Sequence, residues 1–336
     1  MTARLPASVI TGFLGSGKTT LLSHLLRQPG GERIAVIVNE FGEVGVDHQL
    51  VEHVAEDIVL LNTGCLCCVL RNDLIETVER LLDRRAAATV PPFERIVVET
   101  SGLAEPGPVL LSFMSEVGIV SRLRLDGVIT TVDTVNAQRQ IAAHDEPAKQ
   151  IALADRLLLT KTDLGTEAEV AGAHAVLRGL NPGAPIIEAV NGEVASERLF
   201  GAGLYDPTTK IADVEGWLRA DAHTVPHGAP HGASHGHDSG IRSFCLRFDG
   251  PVALAALTRW LSLITTLQGE DILRIKGIVE VMDDPRPLVV HGVHHLFHPP
   301  AYLLTWPPGP RGGRIVFITR HLSEDDVRAS MTTMAA

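Results

Sequence analysis

Residues 8–19 read Ser8-Val9-Ile10-Thr11-Gly12-Phe13-Leu14-Gly15-Ser16-Gly17-Lys18-Thr19, and Leu21, Leu22, Leu25 and Leu26 follow closely. A short β-branched run passes into a glycine loop and then into a stretch whose leucines share one helical face. Strand, loop and helix therefore come in the order a phosphate-binding loop needs. The pattern GxxxxGK[ST] is met at every fixed position. Gly12, Gly15 and Gly17, with Ser16 between them, let backbone N–H groups wrap a β-phosphate. Lys18 supplies a point charge to the β- and γ-phosphates, and the Thr19 hydroxyl can enter a Mg²⁺ shell. Thr20 completes the expected set of nucleotide contacts, and the helix that opens at Thr19 turns its positive end toward the anion. An ordinary glycine turn would leave the agreement of the three elements unexplained.

Outward from this loop, short apolar runs alternate with longer amphipathic stretches. The runs are Ser8 to Thr11, Ile34 to Asn39, Ile58 to Asn62, Ile96 to Thr100, Gly127 to Val132, Arg156 to Thr160 and Ile186 to Val190. Leu74, Val78, Leu81 and Leu82 form a second helical face. This is the pattern of strands buried on both faces and joined by right-handed crossovers, and it predicts an α/β fold: a P-loop NTPase with a doubly wound, mostly parallel sheet. Residues 223–240, HTVPHGAPHGASHGHDSG, are too rich in Pro, Gly and Ser to pack a core and mark a linker or exposed loop. The expected division is a nucleotide domain over 1–222, this linker over 223–240, and a smaller α+β domain over 241–336. In the last part, Ser243 to Phe248, Ile272 to Val281, Leu288 to Phe297 and Arg314 to Thr319 read as strands, Val252 to Leu267 as a helix, and Ser323 as the cap of a final helix.

The chain has 336 residues, 45% of them hydrophobic, and a net charge of −11. That composition excludes global disorder, and the acidic balance argues against a nucleic-acid partner. Without an apolar stretch of about 18 residues or a leader, the expectation is a cytoplasmic chain that spans no membrane.

Four further groups of residues carry chemistry. Ile96-Val97-Val98-Glu99-Thr100-Ser101-Gly102 is an apolar strand ending in an acid and a glycine, where a P-loop protein holds its metal-bound water and senses the γ-phosphate; Glu99 is the candidate, with a turn-capping carboxylate as the alternative. Thr160-Lys161-Thr162-Asp163 resembles the NKxD element of guanine recognition. Asp163 would accept from the guanine N1 and N2 protons, and the Lys161 stem would stack on the ring; Thr160 replaces the usual Asn and loses an amide. An incidental turn is the alternative there. Gly64-Cys65-Leu66-Cys67-Cys68 gathers three of the four cysteines, a poor layout for disulfides. Cys65, Cys67 and Cys68 suit Zn²⁺, Co²⁺ or Cu⁺, against buried structural thiols or a redox pair. Because three thiols leave a tetrahedral site incomplete, Glu40 and Glu43 are candidate further ligands, or part of a solvated or Mg²⁺-linked loop.

Histidine is concentrated in two runs. His223, His227, His231, His235 and His237 lie among prolines and glycines that prevent a helix, so they form a loose ligand string or a merely polar linker. In the second run, a continuous strand puts His291 and His295 on one face and His294 and His298 on the other, which favours structural or partner-facing roles over one shared ion.

The phosphate loop, NEFGEVGVD (Asn39 to Asp47), GCLCC (Gly64 to Cys68), VVETSGLAEP (Val97 to Pro106), TKTD and the histidine-rich boundary occur in this order, and with them the chain resembles the CobW-type metallochaperone GTPases. The resemblance implies a GTPase domain related to the nickel-insertion GTPases of urease and hydrogenase maturation. It also implies a CobW C-terminal domain, to which Arg274-Ile275-Lys276-Gly277 is similar. The cofactors implied are GTP and Mg²⁺. The cargo is zinc or cobalt on Cys65, Cys67 and Cys68, delivered to a client apo-metalloprotein, and a homodimer is compatible with it. Thr160, and His291 where glutamine is expected, depart from the family pattern. Two rival readings stay open: a P-loop small-molecule kinase with structural cysteines, and a zinc-buffering or sensing protein whose hydrolysis is incidental.

Overall fold

The computed structural model describes residues 4–28, 31–39, 60–62, 70–201, 240–298, 300–307 and 311–334. The described residues pack as two compact units. One is drawn from Met1–Gln140, Ala154–His174 and Ile186–Gly203, the other from Ile141–Leu153, Ala175–Pro185 and Leu204–Ala336.

The first unit is built on a parallel sheet. Its strands are β1 (Leu5–Thr11), β2 (Ile34–Asn39), β3 (Leu60–Asn62), β4 (Arg95–Thr100), β5 (Leu123–Asp133), β6 (Arg156–Thr160) and β7 (Ile186–Ala189). They lie in the order β3-β2-β4-β1-β5-β6-β7. The chain runs outward from β1 to one side and then returns to the other, so the sheet is doubly wound and β1 sits where the direction reverses, the place where such sheets bind ligands at their carboxyl ends. Ala7, Val9, Ile10, Val97, Val98, Leu157, Leu158 and Leu159 have no exposed surface, which is why these strands read as unbroken apolar runs. Helix α1 (Lys18–Arg27) buries Leu21, Leu22 and Leu25 against Ile10, Val36, Val97 and Ile129. Helix α2 (Leu70–Ala86) buries Leu74, Val78, Leu81 and Leu82, the face its spacing predicts.

A buried ionic group lies near the amino-terminal ends of these strands. Arg95 donates to Asp126 at 2.6 Å, to Glu32 at 2.7 Å and to Ser8 at 3.1 Å, while Asp126 also accepts from Arg124 at 3.0 Å and from the Gly201 N–H at 2.7 Å. The guanidinium of Arg95 lies 4.1 Å from the centre of the Phe200 ring, adding a cation–π contact.

The second unit carries an antiparallel sheet of β8 (Ile241–Arg247), β9 (Ile272–Val281), β10 (Asp284–Val293), β11 (Leu296–Phe297) and β13 (Arg314–Arg320), with β12 (Ala301–Tyr302) also paired to β10. A helix over Leu254–Gln268 packs Leu257, Trp260, Leu261 and Ile264 onto Phe244, Ile275, Val279, Ile315 and Phe317. Trp260 meets Phe317 edge-on at 6.1 Å and donates from Nε1 to Ser330 at 2.8 Å. The last helix, Glu324–Ser330, opens with Ser323 as its cap, as its sequence predicts, and the structure adds a reciprocal capping box with Asp326.

One expectation fails here. The run from Leu288 to Phe297 is not one strand: β10 ends at Val293, His294 adopts φ 51°, and β11 folds back so that Gly292 pairs with Phe297. The turn cancels the alternation that would have set His291 and His298 on opposite faces. Their rings instead lie 4.6 Å apart, and the His298 N–H donates to the His291 carbonyl at 2.9 Å.

Candidate functional site

The phosphate loop lies between β1 and α1. Gly12, Gly15 and Gly17 all take positive φ, at 143°, 72° and 95°, so the loop bends where side chains are disfavoured. At Gly12 a Cβ would also strike the Thr131 hydroxyl and carbonyl, which makes the close approach of β1 to β5 a second reason for glycine. The loop is braced from below at one residue. Ser16 shares a 2.7 Å hydrogen bond between its hydroxyl and that of Thr131, and its carbonyl accepts from the Thr160 hydroxyl at 2.8 Å. Thr131 in turn donates to the Thr11 carbonyl at 3.2 Å, and Thr100 donates to the Thr11 hydroxyl at 2.8 Å. The ends of four strands are thereby tied under the loop.

Lys18 is buried at the start of α1, its ammonium donating to the Gly12 carbonyl at 2.9 Å and the Phe13 carbonyl at 3.4 Å. Thr19, one residue on, donates from Oγ1 to Glu99 Oε1 at 3.4 Å. Glu99 is buried at the carboxyl end of β4. A hydroxyl and a carboxylate meeting beside a lysine form a hard, all-oxygen donor pair that suits Mg²⁺. Thr20 lies exposed on α1.

The base motif follows β6. Thr160, the residue that departs from the expected Asn, is buried and spends its hydroxyl on Ser16, with the Val132 carbonyl also 3.1 Å away. Lys161 adopts φ 57° and places its ammonium 2.7 Å from Asp133 Oδ2. Asp163 is exposed in the turn closed by the Leu164 N–H and the Lys161 carbonyl at 3.1 Å. Burial alone would raise the Asp133 carboxyl, but hydrogen bonds from Lys161 and Asn136 and the Lys161 charge hold it below the usual carboxylate range. Asp133, Thr131 and Asn136 are the site residues that motif reading missed. The available signal was the one that singled out Glu99: an acid at the end of an apolar strand.

Glu40 and Glu43, Cys65, Cys67 and Cys68, and His223, His227, His231, His235 and His237 lie outside the described residues. Among the described residues, no group of three or more His, Cys, Asp or Glu is arranged to hold a metal ion, and no helix is long and apolar enough to cross a membrane. The ladder places the described residues that precede the cysteine segment and open the Asn39 segment. Val38 of β2 is in register with Glu99 of β4 on one side and with Asn62 of β3 on the other. The Asn39 to Asp47 and Gly64 to Cys68 segments begin one and two residues beyond that rung.

Comparison with known proteins agrees with this arrangement. Residues 6–188 match the CobW/HypB/UreG nucleotide-binding domain, and residues 241–335 match the cobalamin synthesis protein cobW C-terminal domain. The zinc chaperone YjiA of Escherichia coli (strain K12) is 33% identical over 326 residues, 97% of each chain. The zinc chaperone CobW of Sinorhizobium sp is 34% identical over 367 residues, covering 98% of this chain and 97% of the other. The crystal structure of Zn(II)-bound YjiA GTPase from E. coli superposes with a TM-score of 0.74 at 30% identity over 99% of both chains. With its nucleotide-binding and C-terminal domains both matched, this chain belongs to the CobW/HypB/UreG family.

Proposed function

We propose that this protein is a GTP-hydrolysing metallochaperone that carries zinc on Cys65, Cys67 and Cys68 and delivers it to a client apo-metalloprotein in the cytoplasm. Residues 1–222 form its GTPase domain, 223–240 a histidine-rich linker and 241–336 its C-terminal domain. The reading is carried by one observation: an intact phosphate loop with a buried lysine, whose Thr19 bonds to Glu99, a residue on the same ladder rung as Asn62, which precedes Cys65 by three positions in the sequence. Family membership and the zinc-chaperone names of its relatives support it. A homodimer is compatible with the scheme and not required by it.

On this reading Lys18 exchanges the Gly12 and Phe13 carbonyls for the β- and γ-phosphate oxygens, and the loop N–H groups take the β-phosphate. Thr19 and Glu99 would hold Mg²⁺, which when bound offsets the charge that builds on the phosphoryl oxygens. Asp163 accepts from the guanine edge and Lys161 lies against the ring. Glu40 or Glu43 completes the thiolate site, and the linker histidines collect metal for it. Glu99 senses the γ-phosphate, and its rung passes the nucleotide state to the Asn39 to Asp47 and Gly64 to Cys68 segments.

If nucleotide alone were to swing zinc from mostly bound to mostly released, the two states must differ by about 10⁴-fold in zinc affinity, or ~5.5 kcal/mol; a smaller ratio leaves the client to draw the metal off. Competition against a chromophoric chelator, with GDP and with a non-hydrolysable GTP analogue, measures the ratio for Zn²⁺ and for Co²⁺. Equal affinities in the two states would overturn nucleotide gating. C67A is expected to lower zinc stoichiometry while leaving GDP affinity intact, and unchanged stoichiometry would remove Cys67 from the ligand set.

A further inference from the structure

Asp133 is a buried carboxylate at the end of β5 with no assigned role, and it faces the base motif across the β5–β6 ladder, where it pairs in register with Thr160. Its Oδ2 accepts from Lys161 Nζ at 2.7 Å and from Asn136 Nδ2 at 2.9 Å, and its Oδ1 accepts from the Val135 N–H at 3.0 Å. Both oxygens are thus fixed by the turn that follows β5, so the carboxylate is a rigid acceptor. Side-chain exposure is 2% for Asp133 and 36% for Lys161. The charged tip of Lys161 is held against the buried acid while the side chain as a whole stays partly exposed, which leaves its aliphatic stem as the part not tied to a partner by that ion pair.

A lysine free to swing at this rim would serve equally well as a phosphate ligand, blind to the base. A lysine anchored at its tip offers a flat apolar edge in one place and has its charge offset. We propose that Asp133 is a positioning residue for base selectivity, holding the Lys161 stem where a guanine ring, read on its edge by Asp163, can lie against it. This rests on the GTP-binding reading above and adds to it the device that makes the choice of base. With Lys161 partly exposed, solvent screens the pair, so loss of the anchor should reduce selectivity about tenfold, equivalent to ~1.4 kcal/mol.

The test is calorimetric titration of the full chain with GDP, ADP and inorganic tripolyphosphate, each with Mg²⁺, in the wild type, D133N, K161M and the double variant. Asn keeps an oxygen for the Val135 and Asn136 N–H groups, and Met keeps the stem without the anchor. The expected result is that D133N and K161M each lower the preference for GDP over ADP about tenfold, leave tripolyphosphate affinity unchanged, and that D133N adds nothing in the K161M background. An unchanged GDP preference in D133N, or an equal loss of tripolyphosphate affinity, would overturn the proposal. Should D133N not fold, K161M decides by the same criterion, with unchanged selectivity counting against the anchor. A wild type that binds GDP and ADP equally would sink the guanine reading and this proposal together. A selective wild type with an equally selective D133N would sink only the role of Asp133.

Discussion

Replacing Thr160 by Val tests whether the base motif braces the phosphate loop. The two side chains have the same shape, so the substitution removes one hydroxyl and little else. That hydroxyl donates to the Ser16 carbonyl at 2.8 Å and lies 3.1 Å from the Val132 carbonyl, in a residue 4% exposed. One proton serves both acceptors, so a single hydrogen bond is lost and two buried carbonyls share the deficit, which sets the cost at about 1–2 kcal/mol. For a unit of this size that corresponds to a fall in Tm of ~3–6 °C. Because the lost donor holds the loop that wraps the β-phosphate, GDP binding should also weaken, by about fivefold to thirtyfold if the whole cost falls on loop ordering. Thermal unfolding with and without GDP, together with titration calorimetry, separates the two effects. T160S is the control, since it keeps the hydroxyl and should keep the affinity. A T160V protein with wild-type Tm and wild-type GDP affinity would refute the brace.

Three further outcomes are expected. G12A should abolish nucleotide binding in a filter or fluorescence assay, because the added methyl meets the Thr131 carbonyl and hydroxyl and the Ser16 hydroxyl, and φ at this position is 143°. R95M should cost ~1.5–3 kcal/mol in urea denaturation, since the fully buried Asp126 loses the arginine that lies 2.6 Å away and keeps Arg124 and the Gly201 N–H. His291 is held well below its ordinary pKa, first by burial and then by His298, Arg274 and Lys276, so the folded state keeps it neutral while the unfolded chain protonates it. Below about pH 6.5 the unfolded state binds the extra proton and stability falls as pH falls; H291Q should flatten that dependence in denaturation curves taken from pH 7.5 to pH 5, and an unchanged slope would assign it to other groups.

The parallel sheet was legible because each of its strands is buried on both faces and so writes itself as an unbroken apolar run, as Val97-Val98 and Leu157-Leu158-Leu159 do. The phosphate loop was legible because its glycines answer first to backbone geometry, each taking positive φ. What escaped around the phosphate loop has a common cause. Asp133 works through a residue 28 positions away, and the Thr131 and Thr160 hydroxyls work through Ser16. Such pairings exist only once the strands are side by side. Thr160 shows the point sharply: read along the chain it is a base motif that has lost an amide, but in the fold its hydroxyl ties that motif to the phosphate loop. The β10–β11 turn escaped for a different reason. Positive φ at His294 gives no signal in a histidine-rich stretch, where a glycine or asparagine would have marked it.

The rung through Glu99, Val38 and Asn62 constrains how a nucleotide and a metal can communicate. These three residues lie in successive parallel strands, in register, so any displacement of Glu99 along or across β4 is met by the hydrogen-bonded ladders to β1 and β2, and β2 carries it on to β3. Backbone ladders are stiff on the scale of a side-chain rotation, and the β4 end is stiffened further where Thr100 bonds to Thr11. On the proposed reading, a γ-phosphate that draws on Glu99 acts through this rung on β2 and β3 together. If zinc is gated along this path, loosening β3 from β2, for instance by a proline at Leu61, should uncouple zinc affinity from nucleotide state while leaving GDP affinity near that of the wild type, because among the described residues the phosphate loop is braced by β5 and β6. A nucleotide-dependent zinc affinity that survives L61P would show that the signal bypasses the sheet.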